Sequence, residues 1–176
     1  AADTKATNKN SLYDSYIKAF RWASDRIAQC PEGGIVGFVT NSGWIEKLAF
    51  EGFRSCLEKE YTSVYVLDLK GAVRGKSSET AKREGQSIFN ILTGVAITFL
   101  VKNPAKKGKA AIYYHNIGDY LKREEKLTRL RQFVSVKGID WKTIVPNEKQ
   151  DWINQRGDEF DMLILLGDKD NRLNKQ

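Results

Sequence analysis

The sequence predicts an α/β fold in which a sheet is covered by helices, and three observations carry that prediction. Residues 33–43, Gly-Gly-Ile-Val-Gly-Phe-Val-Thr-Asn-Ser-Gly, form an apolar run too short for a buried helix and bounded by glycines, which marks a strand inside a sheet. Small and aliphatic residues fill both faces of this run, as a parallel strand covered by helices on both sides requires. Amphipathic helical patterns flank it, and the β-branched and aromatic residues 62–69 then supply a second strand. This completes a strand-helix-strand unit with an expected right-handed crossover.

Residues 1–10 are small, polar and without periodicity, so they read as a loop or disordered lead-in; with no initial methionine, they suggest a chain cut from a larger one. Leu12, Tyr16, Ala19, Phe20, Ala23 and Ile27 then lie on one face of a first helix, with Ser11 and Asp14 at its start. Cys30, Pro31, Gly33 and Gly34 end it and turn the chain into the first strand. That strand stops at Thr40, Asn41 and Ser42, the carboxyl end where open α/β sheets bind ligands. Trp44, Leu48, Phe50, Phe53, Cys56 and Leu57 predict a second helix, ending near Lys59 or Glu60, ahead of the strand at residues 62–69.

Residues 70–86 change character, carrying Gly71, Arg74, Gly75, Lys76, Lys82, Arg83 and Gly85 against only Glu79 and Glu84. A polar loop of this length is either a solvated excursion or a segment that follows a nucleic-acid backbone through Arg74, Lys76, Lys82 and Arg83. Residues 88–101 return to β-rich sequence, with Gly94 marking the start of a strand that Lys102-Asn103-Pro104 ends. A short strand at residues 110–114 follows, then a third helix with Leu121, Leu127, Leu130 and Phe133 inward and Lys122, Arg123, Lys126, Arg129 and Arg131 outward. Beyond Gly138 come a strand at residues 141–145, a turn at 146–150, an apolar anchor at Trp152 and Ile153, a short apolar element at 162–166 and a polar tail.

Composition narrows the function classes. At 176 residues, 41% hydrophobic and 29% charged, the chain is sized for one domain with a real core. Its longest apolar runs, such as residues 95–101, fall far short of the roughly 20 residues that cross a bilayer. No charged-then-apolar leader begins the chain, so a cytoplasmic protein without a membrane partner is expected. Cys30 and Cys56 are the only cysteines and His115 the only histidine, which points to two reduced core thiols rather than a disulfide or a zinc site. The net charge of +7 favours a polyanionic partner, although such an excess also occurs in proteins that bind none. No Ser-His-Asp or Cys-His set can be assembled, and neither a dinucleotide fingerprint nor a Walker-type phosphate loop occurs.

Three separated stretches, residues 12–23, 33–45 and 62–103, resemble in order the back half of an N6-adenine amino-methyltransferase. More narrowly, residues 11–27 (SLYDSYIKAFRWASDRI) and 120–127 (YLKREEKL) are similar to the large single-chain restriction-modification enzymes called type ISP. The resemblance implies a partial Rossmann-like methyltransferase sheet, mixed, with strands near residues 34–41, 62–69 and 94–102 on one side and the last antiparallel. It places the methyltransferase part at residues 11–109 and a small α/β extension leading towards a target-recognition region at 110–176.

The reaction implied is transfer of a methyl group from S-adenosylmethionine to the exocyclic amine of an adenine in double-stranded DNA. The family's catalytic Asn-Pro-Pro-Tyr is missing, since Pro31, Pro104 and Pro146 are never adjacent, and so is its glycine-containing cofactor loop. The resemblance therefore implies a fragment that works with the remainder of a parent polypeptide. Phe89 matches the aromatic that packs on the flipped-out adenine, or is a core Phe at a strand entrance. Thr40 and Asn41 match the strand-end pair beside the target base, or cap the following helix. Tyr16 lies near the side chain that packs on the cofactor adenine, or is a core residue. A non-catalytic nucleic-acid-binding module or a structural spacer remain the alternatives. The strand at residues 35–39 would expose an edge where a missing neighbour belongs, open to self-association.

Overall fold

The computed structural model describes residues 10–157 and residue 159, so the lead-in through residue 9, the apolar element at 162–166 and the polar tail lie outside the described residues. The elements are α1 (Ser15–Ala28), β1 (Gly34–Asn41), α2 (Glu51–Glu60), β2 (Ser63–Asp68), α3 (Ser78–Glu84), β3 (Val95–Lys102), β4 (Ala111–Asn116), α4 (Arg123–Phe133) and β5 (Lys142–Ile144). The strands form one mixed, Rossmann-like sheet in the order β1-β3-β2-β4-β5. Strand β3 runs antiparallel between β1 and β2, and β4 is parallel to β2, so β1, β2 and β4 all point the same way. The antiparallel third strand expected at residues 94–102 is present. Because β4 and β5 extend the same sheet, the boundary expected at residue 109 falls inside one continuous layer.

Strand alternation divides the core. On one face, Val64, Val66, Ala96, Leu100 and Ile112 pack under Ile17 and Phe20 of α1 and Leu57 of α2. Phe20 sits 4.9 Å from Phe38 and 5.8 Å from Trp44, and Trp44 in turn meets Trp152 at 5.5 Å. The expected anchor at Trp152 is thus a core ring, 3% exposed. On the other face, Leu67, Val95 and Ile97 meet Ile117, Leu121 and the apolar side of α4. Among the described residues no helix is long and apolar enough to cross a membrane.

Five expectations are corrected. Strand β1 is not covered on both sides: it pairs only with β3 among the described residues, and Ile35 and Val39 are 68% and 57% exposed. Its apolar character is compatible with burial on both faces, but the core that α4 covers takes in residues of β2 and β3 and none of β1. The second helix is broken into 3-10 turns at Ser42–Ile45 and Leu48–Phe50 before α2. The fully buried Arg54 guanidinium donates to the carbonyls of Trp44 and Lys47 at 2.8 and 2.9 Å, the latter also accepting the Phe50 amide at 3.1 Å, so side-chain donors replace part of the bonding of a continuous helix. Cys30 and Cys56 are exposed, because Cys30 follows the end of α1 and the inward face of α2 is set by Gly52, Arg54 and Leu57.

Residues 70–86 are not a structureless excursion, since Ser77 caps α3 by accepting the Thr80 amide at 3.3 Å and Gly85 ends it at φ +71°. Lys126, expected on the solvated face of α4, is fully buried and donates to the carbonyls of Leu69 and Glu84, both at 2.9 Å. Burial lowers its pKa, with Glu84 and Asp68 opposing. One ammonium thereby ties together the two ends of the basic loop.

A second buried cluster fastens residues 147–156 to α2. Arg54 also donates to the Gln150 carbonyl at 2.6 Å and lies 3.6 Å from Asp151, while Arg156 bridges Asp151 at 2.8 Å and Glu51 at 2.5 Å. Burial alone would raise the Asp151 pKa, but the hydrogen bonds from Arg156 and Asn147 outweigh it and hold the carboxyl below its ordinary value. Its contribution to stability is therefore complete above the ordinary carboxylate range and is lost as pH falls through the lowered folded value. Asp151→Ala leaves Arg54 buried without its carboxylate and is expected to cost about 3 kcal/mol in a denaturant titration at neutral pH. The same variant should lose less stability than the parent chain between neutral and strongly acidic pH.

Candidate nucleic-acid interface at the carboxyl ends of the strands

Register brings the ends of three strands to one level. Asn41 of β1 pairs with Val95 and Asp68 of β2 with Ala96, its neighbour on β3, while Asp68 also pairs with Asn116 of β4. Strand β3 starts between them, so the parallel ends open beside an antiparallel beginning. An open cleft of about 1490 Å³ occupies this position, floored by Asn41, Ser42, Asp68, Lys70, Tyr114 and Asn116. Arg74, Lys76 and Arg83 contribute a basic wall, Leu92, 63% exposed, stands at the rim, and the buried Gly94 and Trp152 line the cleft together with Ile153.

The floor is a hydrogen-bonded carboxylate and phenol. Asp68 accepts from the Lys70 amide at 2.8 Å and from the Tyr114 hydroxyl at 2.9 Å. Burial raises the Asp68 pKa despite these two bonds, and burial followed by the nearby Asp68 raises that of Tyr114. Lys70 and Arg83 share Asp119, which they hold in its charged form, Arg83 at 2.7 Å. Lys76 pairs with Glu84 at 2.6 Å, and Glu84 also accepts the Ala72 amide at 3.1 Å. The basic wall is thus built on acid partners that orient its cations.

The residues singled out in the sequence separate into two groups. Asn41, Arg74, Lys76 and Arg83 line the cleft. Arg74 is exposed with no side-chain partner among the described residues. Asn41 accepts the Gly43 amide at 2.7 Å, so it does cap the turn that follows while facing the cleft. Thr40 is half-buried, its hydroxyl donating to the Asn41 carbonyl at 3.3 Å, and it does not line the cleft. Lys82 is exposed on α3, outside the lining. Phe89 is 54% exposed, hence not a core ring in this chain, and stands outside the lining on the segment that leads to the rim. Tyr16 is half-buried against the main core, where burial raises its pKa, and does not line the cleft.

Asp68, Tyr114 and Asn116 were missed. An acid closing the apolar run Val-Tyr-Val-Leu was a usable signal, because a charge inside a strand needs a reason. Tyr114 and Asn116 gave none, since only the β2–β4 register carries them to Asp68. A carboxyl whose folded pKa is raised stabilises the fold less as pH rises through that pKa. Asp68→Asn is therefore expected to abolish this part of the pH dependence, with stability at neutral pH equal to or above that of the parent chain, as measured by thermal melts from acidic to neutral pH.

No protein-family model and no curated protein matches this sequence. Among solved structures, the chain is similar to the ATP-dependent Type ISP restriction-modification enzyme LlaBIII bound to DNA, with a TM-score of 0.89 and 44% identity over 97% of this chain and 11% of that one. It is similar to a nuclease-deletion mutant of the Type ISP restriction-modification enzyme LlaGI in complex with a DNA substrate mimic, with a TM-score of 0.84 and 38% identity over 96% of this chain and 16% of that one. The DrdV-DNA complex gives a TM-score of 0.79 and 38% identity over 90% of this chain and 15% of that one. The chain therefore spans less than a fifth of the length of each. In fold and in sequence it is similar, over nearly its whole extent, to a segment of Type ISP restriction-modification enzymes.

Proposed function

We propose that this chain is the carboxyl-terminal part of an adenine-N6 DNA methyltransferase domain in a restriction-modification polypeptide, where it supplies a wall of the target-base pocket and contacts to double-stranded DNA. The observation that carries this reading is the cleft at the aligned ends of β1, β2 and β4, with a basic wall and an exposed Phe89 on the segment leading to its rim. The resemblance of residues 33–45 and 62–103 to such domains, and the similarity to enzymes bound to DNA, support it.

The chemistry asked of these residues is positioning. An adenine drawn out of the duplex needs an apolar surface to replace its lost stacking, and the open ring of Phe89 offers one. Arg74 and Lys82 are free to meet phosphates, whereas Lys76 and Arg83 would exchange Glu84 and Asp119 for them. S-adenosylmethionine would supply the methyl group. The described residues do not by themselves fit that cofactor: Tyr16 is packed against the main core, and no glycine-rich turn follows a strand beside it. Its pocket would belong chiefly to the remainder of the polypeptide, which would also pair with the open edge of β1; a separated piece would use that edge to self-associate.

A second reading, a non-catalytic nucleic-acid-binding module, draws on the engagement of the Asn41 side chain in its own turn. Titration of the full-length polypeptide with S-adenosylmethionine separates the two, since absence of cofactor binding there removes the enzyme reading. Phe89→Ala in that polypeptide is expected to lower methylation about tenfold or more, the value of stacking one base, with an unchanged melting temperature. Arg74→Ala should weaken DNA binding and reduce the slope of log affinity against log salt by about one. DNA affinity that neither falls with salt nor responds to Arg74→Ala would instead make the segment a spacer.

A further inference from the structure

Between the buried Ile88 and the start of β3, three apolar side chains stand in water within four residues: Phe89, Ile91 and Leu92 are 54%, 45% and 63% exposed. The turn that carries them is braced. Ser87 Oγ accepts the amides of Phe89 and Ile91, each at 3.3 Å, and Asn90 takes a left-handed conformation at φ +56°. The Leu92 carbonyl accepts the amides of both Val73 and Arg74 at 3.1 Å, and the Gly94 carbonyl accepts that of Ser42 at 2.9 Å. A Cβ on Gly94 would meet Ser42 Oγ at 2.5 Å, so the buried base of this segment lies directly against the end of β1. An apolar tip is thus held firmly at the cleft mouth, stapled to the segment that bears Arg74.

We infer that Ile91 and Leu92 form a wedge that enters the base stack of duplex DNA at the step a base leaves, an inference that rests on the DNA reading above. Extruding a base removes stacking from its neighbours, and apolar side chains inserted at such a step replace part of what is lost. Leu92 lines the cleft and Ile91 adjoins it on the same braced turn, so the wedge stands where the gap would open when a base enters. The flanking charge selects this occupant over an apolar protein surface: Arg74 follows Val73 on the strip bonded to Leu92, and Lys76 and Arg83 stand on the same wall. Phosphates on either side of an opened step would meet those cations.

The test uses the full-length polypeptide and a duplex of its recognition sequence with 2-aminopurine at the methylated adenine, a base whose fluorescence rises when it unstacks. The Ile91→Ser, Leu92→Ser double variant is expected to lose most of that rise and to bind about tenfold more weakly, within the range of one stacking contact. Its salt slope should match the parent's, since no phosphate contact is removed, and Ile91→Val with Leu92→Met should restore both signals. An unchanged fluorescence rise and affinity would overturn the wedge while leaving the DNA reading intact. A melting temperature lowered by several degrees with unchanged DNA binding would overturn it in favour of a protein contact. A parent polypeptide that shows no salt-dependent DNA binding would overturn both readings.

Discussion

The arrangement depends on one strand running against its neighbours. Strand β3 enters the sheet antiparallel between β1 and β2, so both keep a common direction without touching. Its hydrogen bonds fix Asn41 opposite Val95 and Asp68 opposite Ala96, and β4 adds Asn116 at the same level. The cleft follows from that alignment, because three chain reversals must open outward from one edge of the sheet. The loop before β3 is forced to share this edge, which is why Leu92 and Gly94 lie against the end of β1.

Two buried cations hold the loops that surround the cleft. Arg54 collects carbonyls from Trp44, Lys47 and Gln150, fastening the segment after β1 and the segment after β5 to α2. Lys126 does the same for the ends of the basic loop through Leu69 and Glu84. Each takes a charge out of water, which is costly unless hydrogen bonds replace the hydration; backbone oxygens supply them at Arg54 Nε and Nη1 and at Lys126, while Arg54 Nη2 faces the Asp151 carboxylate at 3.6 Å. Hydrogen bonding of this kind positions irregular backbone that no ladder or helix would order.

Charge is distributed on the wall in a way that suits exchange. Lys76 with Glu84, and Lys70 and Arg83 sharing Asp119, hold the cations oriented with one positive charge in excess, while Arg74 stands open. A polyanion would replace carboxylates already positioned for the same donors, so little side-chain reorganisation is needed. Beside them the rim is apolar and braced by backbone bonds. Cations beside an apolar tip are what the proposed reading asks of this edge, since phosphate contacts position a protein on a duplex and contacts at the bases are made separately.

The sequence alone determined the elements that rest on local pattern. The first helix, the strands at residues 34–41, 62–69 and 94–102, and the anchor at Trp152 were legible because short β-rich apolar runs, helical spacing and glycine punctuation act within a few residues. Arg74, Lys76 and Arg83 were legible as a basic wall because a run of charge on polar sequence resists burial. Residues 42–60 were not, since the break in the helix is imposed by a guanidinium that completes its bonds at Gln150, 96 residues away. Only the tertiary structure buried Lys126, left Ile35 and Val39 open, and joined Tyr114 to Asp68. Those outcomes follow from which strands became neighbours, a long-range choice settled by the balance of burial over the entire sheet rather than by the residues beside each position.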